Sequence, residues 1–403
     1  MDKTTLAVKK MYEKYPYPSG VAQMRTGIDV NLLLSYVSVA KEQQGQLNVL
    51  DAGCGRGIGL IGAAMLQPDV NFIGADINTT ALNDARQNAQ DRGLTNVQFI
   101  EADLMTLAGI DIPEGGFDVI YSSGVLHHLS EPLTGLKNLE QVLAPHGVIS
   151  LMLYGSYGRQ ALYRLIEGIE LMQPNEASIE EKLPLSRLLT EAAEQTIFKD
   201  NYWQNTSATN DVEFVDRCLN VNEVSYDIDS LWQLLEQANM KFIRWDSPEE
   251  WSIDKLFAND SLVSKLAELA PKEQYKVIER MFERPKLELI ISKDSNAPRS
   301  LVSVEMVASL NFVVNPEVSF SVEKRNLNGF QRIESLSYKV KSSDAKSMPN
   351  GLLAQAALIL VDQNTYFAGS EMITALIEKG GTKLEAITVM MQLLELDIIY
   401  CPQ

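Results

Sequence analysis

Acidic residues and glycines in one part of the chain have the types and spacing needed to bind a small polar ligand. Three glycines alternate directly after an acid, and two further acids each end a run of apolar residues. These residues are Asp51, Gly53, Gly55 and Gly57, followed by Asp76 and Asp103. Glycine permits positive φ and a close approach of backbone N–H groups to a ligand, and carboxylates accept hydrogen bonds from hydroxyl and amine groups. The pattern predicts a glycine turn that holds a nucleotide-like cofactor.

The elements that must position these residues follow from an alternation of apolar strands and helices that begins at residue 47. Strands are predicted at Leu47–Ala52, Val70–Asp76, Asn96–Asp103, Phe117–Ser123, Gly147–Gly155, Lys241–Ser247 and Lys286–Ser292. The helices between them are predicted at Ile58–Gln67, through Ala81, Ala85 and Ala89, at Pro132–Leu143 and at Ser230–Asn239. This spacing indicates an α/β fold with a doubly wound, mainly parallel sheet. The ligand is then expected at the carboxyl ends of the strands.

A dinucleotide is one alternative for the ligand of the glycine turn. The dinucleotide fingerprint G-x-G-x-x-G needs its third glycine at the position of Ile58, and Gly57 comes one residue earlier. Asp51 is not part of that fingerprint either, although an acid at this position can simply cap the turn. A nicotinamide-dependent oxidoreductase on the same fold is therefore a disfavoured hypothesis.

Four segments, in the expected order, resemble the motifs of class I S-adenosylmethionine-dependent methyltransferases. The acid-x-Gly-x-Gly-x-Gly motif matches residues 51–57, and residues 117–132 resemble the family's fourth-strand segment. Asp76 and Asp103 match the acids that follow the second and third strands. The resemblance implies a seven-stranded Rossmann-like sheet, with Asp76 on the ribose hydroxyls and Asp103 on the adenine amino group. The cofactor-binding residues that it implies are Asp51, Gly53, Gly55, Asp76, Ile77, Asp103, Leu104, Ser122 and Ser123.

The chemistry of S-adenosylmethionine agrees with these residue types. The cofactor carries a ribose diol, an adenine, an amino-acid head and a sulfonium, but no phosphate. Its site needs carboxylates and backbone amides rather than an arginine or lysine clamp. We therefore expect S-adenosylmethionine as the cofactor, with S-adenosylhomocysteine as the product of methyl transfer.

Candidate catalytic residues lie after the fourth strand and near the N-terminus. Methyl transfer from a sulfonium is an in-line displacement, which needs a general base only if the acceptor loses a proton at attack. His127, followed by His128, is a candidate base, with packing as its alternative role. Tyr15 and Tyr17, in the Tyr-Pro segment Tyr15–Gly20, could cover the pocket and attract a cationic amine, or fix the N-terminal helix to the core. The remaining candidates are Tyr154, Tyr157, Tyr202 and Trp203, while His146 is expected to be structural.

Changes in pattern divide the chain into three parts. Residues 1–46 form an N-terminal helix with the Tyr-Pro segment, and residues 47–294 form the cofactor-binding domain with a helical insertion at about 156–228. A turn-rich linker precedes residues 300–403, where strands and three helices predict a small α+β module that is compatible with a winged-helix arrangement. Few basic residues on its helices favour a regulatory or docking role over DNA binding.

Composition restricts the class of protein and its partners. The 403 residues carry a formal net charge of −18 without a dense basic run, so nucleic acid is an unlikely substrate. No apolar run reaches the roughly 20 residues of a membrane helix, which predicts a cytoplasmic protein without a membrane partner. The three scattered cysteines do not form a zinc pattern, and no metal is expected. The oligomeric state stays open.

The leading hypothesis is a methyltransferase that uses S-adenosylmethionine, with a small molecule or a protein side chain as acceptor. The layout loosely resembles bacterial methyltransferases with a C-terminal regulatory domain, including protein-lysine methyltransferases. The alternative is a catalytically silent S-adenosylmethionine-binding protein that acts on a partner through its C-terminal module. Its basis is the absence of a compelling base in the sequence.

Overall fold

The described residues form two compact units. The computed structural model describes residues 1–17, 19, 28, 32–33, 37, 46–173, 177–192, 210–293, 302, 304–315, 318–327, 330–340, 345–349, 351–362 and 366–401. One unit comprises residues 1–28 and 46–295, and the other comprises residues 29–45 and 296–403. The domain boundaries at 46, 294 and 300 stay predictions of the sequence, since residues 294–301 lie outside the described part.

A seven-stranded sheet forms the centre of the first unit. Its strands are β1 Asn48–Ala52, β2 Asn71–Asp76, β3 Val97–Glu101, β4 Phe117–Ser123, β5 Leu143–Tyr154, β6 Lys241–Trp245 and β7 Lys286–Ser292. They lie in the order β3-β2-β1-β4-β5-β7-β6, and β7 runs antiparallel to both of its neighbours. The doubly wound, mainly parallel Rossmann-like sheet is thus confirmed. The strand order reverses between β1 and β4, which is where such sheets open a crevice for ligands.

Helices precede β1, follow β1, β2 and β4, and occupy the intervals between β5, β6 and β7. They are α1 Lys3–Lys14, α2 Ile58–Leu66, α3 Thr79–Asp91, α4 Pro132–Val142, α5 Gln160–Met172, α6 Ile179–Ala192, α7 Asp211–Cys218, α8 Ile228–Gln237, α9 Ile253–Leu256, α10 Asp260–Leu266 and α11 Pro271–Met281. The small residues Gly62, Ala63 and Ala64 of α2 are buried, which lets that helix pack closely. Within the described residues, no helix has the length and apolar character required to cross a membrane.

Strand β5 begins four residues before the predicted start at Gly147. Leu143 pairs with Phe117 of β4, and the register shifts between Phe117 and Val119. His146 Nε2 lies 2.7 Å from Asp118 Oδ1, so the turn-forming residues before Gly147 are held against β4. The irregular register explains why this part of the strand has the composition of a turn.

Five aromatic rings pack together beside β6. Trp245 stacks on Trp251 with 3.9 Å between ring centroids and 12° between planes. Trp232, Phe242 and Tyr275 complete the cluster, each within contact of Trp245. Trp245 and Trp251 are buried, so the cluster belongs to the hydrophobic core of the first unit.

The second unit contains two three-stranded antiparallel sheets and three helices. The strands are β8 Asn311–Val314, β9 Val318–Leu327, β10 Phe330–Val340, β11 Lys346–Ser347, β12 Tyr366–Ala368 and β13 Ile399–Tyr400, and the helices are α12 Leu352–Asp362, α13 Gly369–Glu378 and α14 Lys383–Glu395. The sheets have the orders β11-β10-β9 and β12-β8-β13. Phe312, Leu376 and Met390 are among the fully buried core residues. A C-terminal α+β arrangement is confirmed, while a winged-helix relationship stays a prediction.

Candidate functional site

A cavity of about 300 Å³ opens at the carboxyl ends of β1, β2 and β4. The glycine turn after β1 and the residues that follow β2 and β3 line one part of it. Helix α1, through Thr5, Val8 and Tyr12, and the segment after β4 line the other part. The volume lies at the lower end of the range of roughly 300–1,000 Å³ that is usual for small-molecule sites.

The glycine turn has a shape that side chains would block. Gly53 has φ +95°, and a Cβ atom there would lie 2.3 Å from Val125 Cγ2. Gly57 has φ +66°, and its Cβ would lie 2.5 Å from Phe99 Cε1. The N–H groups of Gly53 and Cys54 both donate to the carbonyl oxygen of Ala75, at 2.7 and 3.1 Å. The turn is therefore folded against β2, and only glycine fits at its two tightest positions.

Asp76 is fixed by the backbone on both sides of its carboxylate. Its Oδ2 accepts the Gly55 N–H at 2.8 Å and its Oδ1 accepts the Asn78 N–H at 2.8 Å. Burial raises the pKa of Asp76, and these backbone hydrogen bonds act in the opposite direction. The carboxylate thus orients the glycine turn while it lines the cavity.

Asp51 is the second buried carboxyl of the cavity. Burial raises its pKa to about 8, and the nearby charge of Asp76 contributes in the same direction. At neutral pH the side chain therefore holds a proton in the ligand-free protein. A cation placed beside Asp51 would favour the ionised form.

The other cofactor-binding residues predicted from the sequence come together, with one exception. Asp103 lines the cavity, and its Oδ1 accepts the Met105 N–H at 2.9 Å. The cavity is also lined by Gly53, Gly55, Ile77, Leu104 and Ser123. Ser122 is fully buried and donates its hydroxyl to the Ala52 carbonyl oxygen at 3.2 Å, so it braces β4 against β1. Cofactor binding by these side chains stays a prediction.

The N-terminal helix also lines the cavity, and the sequence did not reveal which of the tyrosines near it do so. Tyr12 and Tyr17 line the cavity, whereas Tyr15 packs against the apolar cluster around Met11 and α5. Lys9 forms an ion pair with Glu101 at the end of β3, at 2.5 Å. Asn78 Nδ2 donates to the Tyr12 carbonyl oxygen at 2.7 Å. Helix α1 is thereby held over the ends of β2 and β3.

The paired histidines after β4 have different surroundings. His128 lines the cavity. His127 is fully buried, lies outside the cavity lining, and stacks on Tyr154 with 3.8 Å between ring centroids. Burial lowers the pKa of both imidazoles, so both are neutral near pH 7. The structure therefore brings the second histidine, not the first, to the cavity, and a catalytic role for His127 stays a prediction.

A buried polar network lies behind the histidines. Arg159 donates from Nη2 to both carboxylate oxygens of Glu223, at 2.9 and 3.0 Å, and Tyr163 donates its hydroxyl to Glu223 at 2.7 Å. The guanidinium lies 3.5 Å from the ring centroid of Tyr154. No periodic pattern in the sequence marks this network, because its members come from separate segments. The signal in the sequence that could have indicated the network is a charged residue, Arg159, between two apolar stretches.

The remaining aromatic candidates do not reach the cavity in the described part of the chain. Tyr154 belongs to the buried network, and Tyr157 lies under the Arg280 guanidinium, 4.9 Å from Cζ. Tyr202 and Trp203 lie outside the described residues. His146, at its hydrogen bond with Asp118, has the structural position expected for it.

Comparisons with known proteins concern the same part of the chain. Residues 43–208 match a family described as a methyltransferase domain. An uncharacterized protein of Synechococcus sp., syc1184_c, is 28% identical over 297 residues, which cover 69% of this chain and 69% of that protein. The tRNA 5-carboxymethoxyuridine methyltransferase of Escherichia coli is 30% identical over 156 residues, which cover 38% of this chain and 56% of the enzyme.

A solved structure shares the fold over most of the chain. The structure of PKMT2 from Rickettsia typhi in complex with AdoHcy superposes with a TM-score of 0.66. The superposition covers 96% of this chain and 77% of that one, with 14% sequence identity. At 14% sequence identity the comparison shows that the two chains share a fold. Because it covers 96% of this chain, the shared part extends beyond the seven-stranded sheet.

Proposed function

We propose that this chain, which carries a class I S-adenosylmethionine-dependent methyltransferase domain, transfers the methyl group of its cofactor to an amine nitrogen. S-adenosylmethionine is the cofactor, and the nature of the acceptor is the proposal. The observation that carries the proposal is the charge of the cavity. Three carboxyl groups line it, and none of the described residues that line it is a lysine or an arginine.

The residues of the cavity fit the cofactor. The glycine turn lines the cavity at Gly53 and Gly55, and a Cβ at Gly53 would collide with Val125. Asp76 would accept hydrogen bonds from the ribose hydroxyls, and Asp103 with the Leu104 amide would hold the adenine. Asp51 would pair with the ammonium of the amino-acid head. The cavity contains no phosphate-binding cation among its described lining residues, in agreement with a cofactor that has no phosphate.

When bound, the cofactor supplies a methyl group on a positively charged sulfur, which a nucleophile can attack directly. The protein's contribution is to align the acceptor and to exclude water. Helix α1 serves the second purpose, because Thr5, Val8 and Tyr12 form part of the wall of the cavity. Tyr17 and the residues after β4 also line the cavity. None of the polar groups of the cofactor is assigned to them.

The charge of the cavity favours an amine over an anionic acceptor. A carboxylate or phosphate in this cavity would meet carboxyl groups with no described lysine or arginine in the lining to balance it. An amine is instead attracted in its cationic form by the aromatic rings of Tyr12 and Tyr17 and by the negative charge of the site, and it accepts the methyl group once it has lost a proton to solvent. The name of the E. coli relative specifies a tRNA acceptor. The net charge of −18 argues against nucleic acid for this chain.

Cofactor binding is tested by calorimetry with S-adenosylhomocysteine. Asp76→Ala should weaken binding at least about tenfold, because hydrogen bonds to a charged group are lost. Asp69→Ala is the matched control, since Asp69 is an exposed acid just before β2. Asp76→Asn, with circular dichroism to verify folding, separates a binding defect from a folding defect. Unchanged affinity in both Asp76 variants would reject the cofactor site.

The acceptor is tested with methyl-labelled S-adenosylmethionine. The probes are methylamine and a single-lysine peptide, with acetate as the anionic counterpart and cell extract as a source of natural acceptors. We expect label on nitrogen. Label confined to oxygen or carbon would reject the amine proposal while leaving methyl transfer intact.

A further inference from the structure

The polar groups of Tyr12 are engaged by other residues, which leaves its ring to the cavity. The hydroxyl donates to Asp216 Oδ1 at 2.7 Å and accepts from Asn220 Nδ2 at 3.1 Å. The main-chain carbonyl oxygen accepts from Asn78 Nδ2 at 2.7 Å. A phenol has one proton to donate, so a ligand cannot receive a hydrogen bond from Tyr12 while the contact with Asp216 holds. Tyr12 lines the cavity, and its ring is the part that a ligand can meet.

A second ring, that of Tyr17, lies at the mouth of the same cavity. Tyr17 lines the cavity and keeps 37% of its surface exposed. Tyr12 is less exposed, and its ring packs edge-on against His128, another lining residue, with 6.4 Å between ring centroids. The two tyrosine rings therefore lie at the surface and inside the cavity, respectively.

A buried negative charge stands behind the ring of Tyr12. Asp216 is 5% exposed, and the charged groups around it form two pairs of opposite sign. Arg217 lies 3.8 Å from a carboxylate oxygen of Glu213, and Arg159 lies 2.9 Å from one of Glu223. Because each arginine is matched by one acid, the group keeps one net negative charge, that of Asp216.

The charge of Asp216 acts on both cavity rings. Burial raises the pKa of Tyr12 and of Tyr17, and the charge of Asp216 is the next largest cause at each of them. It acts in the same direction on Tyr154, which lies outside the cavity lining. Burial also raises the pKa of Asp216 itself, to about 6, so its carboxylate is ionised at pH 7.

A carboxylate behind an aromatic ring makes the ring a better site for a cation. The face of the ring attracts a cation by itself. The carboxylate adds a Coulomb attraction, which is stronger in a buried environment than in water because the effective dielectric constant is lower. An uncharged alcohol gains nothing from that charge, and a carboxylate is repelled by it.

We propose that the rings of Tyr12 and Tyr17, backed by the charge of Asp216, form a cation subsite that binds the ammonium group of the methyl acceptor. The inference rests on the proposed amine acceptor and identifies the residues that select it. Once bound, the ammonium loses a proton to solvent, and the nitrogen lone pair then forms the new N–C bond. The C–S bond breaks, and its electron pair stays on sulfur. Asp216 acts through Tyr12 and is a positioning residue.

The first test removes the charge and keeps the hydrogen bond. Asp216→Asn has nearly the same shape, and its amide oxygen can still accept from Tyr12. The KM for whichever amine probe is methylated should rise roughly 10- to 30-fold, with kcat within about threefold of the wild type. Asp211→Asn is the matched control, because it makes the same change at an exposed position of α7. An unchanged KM in Asp216→Asn would overturn the proposal.

The pH dependence of KM distinguishes a role of the charge from a purely structural role. The ratio of KM in Asp216→Asn to KM in the wild type should be largest near pH 8 and approach one at about pH 5, because Asp216 takes up a proton near pH 6. Protonation of the amine itself cancels in this ratio. Tyr12, Tyr17 and Tyr154 stay protonated throughout, since burial raises their pKa. A ratio that is constant over this range would overturn the proposal.

The second test uses ligands that cannot be methylated on nitrogen. Choline carries a quaternary nitrogen without a lone pair, and its neutral isostere has carbon in place of that nitrogen. With S-adenosylhomocysteine bound, the wild type should bind choline at least about tenfold more tightly than the isostere, as measured by calorimetry. Asp216→Asn should lose most of this preference. Absence of the preference in the wild type would overturn the proposal.

Cofactor affinities separate failure of this inference from failure of the proposed function. Asp216→Asn should bind S-adenosylhomocysteine within about twofold of the wild type, because Asp216 does not line the cavity. Weaker binding of S-adenosylmethionine alone, with an unchanged KM for the amine, would assign the charge to the sulfonium and overturn the inference. Loss of binding of both cofactor forms in the wild type would contradict the methyltransferase assignment itself.

Discussion

Tyr12 donates a 2.7 Å hydrogen bond from its hydroxyl to Asp216 Oδ1 and so links two residues that are 204 positions apart in the chain. Asn220 Nδ2 in turn donates to the Tyr12 hydroxyl at 3.1 Å. Burial raises the pKa of Asp216 to about 6, and the hydrogen bond from Tyr12 opposes this shift. The contact fastens α1, which covers the cavity, to α7.

Tyr12→Phe should destabilise the protein and loosen the cover of the cavity. The change removes the phenol hydroxyl and leaves the buried carboxylate of Asp216 without its donor, at a cost of about 1–3 kcal/mol. The free energy of unfolding by denaturant measures this loss. Tyr15→Phe is the matched control, because Tyr15 packs on an apolar cluster through its ring. The same loss in both variants would contradict the role assigned to the Tyr12 hydroxyl.

Gly53→Ala should weaken cofactor binding by roughly 5- to 150-fold. Alanine is strained at φ +95°, and its Cβ would overlap Val125 at 2.3 Å. Such backbone strain costs about 1–3 kcal/mol, and its relief would displace the turn from Asp76. Calorimetry with S-adenosylhomocysteine measures the effect. Gly168→Ala in α5 is the control, because no atom lies within 4 Å of its added Cβ, and it should stabilise the helix by about 0.5–1 kcal/mol. Normal affinity of Gly53→Ala would show that the turn tolerates a side chain.

Binding of S-adenosylhomocysteine at pH 7 should release a proton. Asp51, with its pKa raised to about 8 by burial and by Asp76, is protonated in the free protein. The ammonium of the ligand would favour the ionised carboxylate, and the released proton would go to the buffer. Calorimetric enthalpies in phosphate and Tris should therefore differ in proportion to the buffers' ionisation enthalpies. Asp51→Asn should lose this dependence, and its persistence there would assign the proton to another group.

The stability of the free protein should depend on pH through the same side chain. Asp51 has a pKa of about 8 in the folded protein against an ordinary value of 3.8, so between these values the folded state binds the proton more tightly than the unfolded state. Stability then falls as the pH rises through this window, by up to about 1.4 kcal/mol per pH unit. Asp51→Asn should remove this component, so its advantage over the wild type should grow from pH 5 to 8. A constant difference would contradict the raised pKa.

The strands and the acids of the cavity could be predicted because their signals are local. Each of Asp51, Asp76 and Asp103 follows an apolar run, and parallel strands place such ends at one edge of a sheet. The sequence did not reveal which of His127 and His128 faces the cavity. Both belong to a 3₁₀ turn, Leu126–His128, in which successive side chains point roughly 120° apart. Which one faces the cavity depends on how the turn packs.

Two other features depend on partners that the local sequence does not reveal. The position of Tyr12 over the cavity is set by Asp216 and Asn220, far along the chain. Strand β10 lacks a clear alternation because its register against β9 shifts between Ile333 and Ser335. A bulge of this kind changes which residues share a face, and Leu336 and Tyr338, which follow it, are both buried.

The aromatic cluster beside β6 makes the first unit optically distinct. All four tryptophans of the chain fall within residues 46–295, and the sequence of the second unit has none. Tryptophan emission therefore reports on the first unit, and the rings of Trp232, Trp245 and Trp251 dominate it among the described residues. Far-ultraviolet circular dichroism reports on the helices of both units. Coincident transitions would show joint unfolding, and separate ones would assign each step to its unit without any added label.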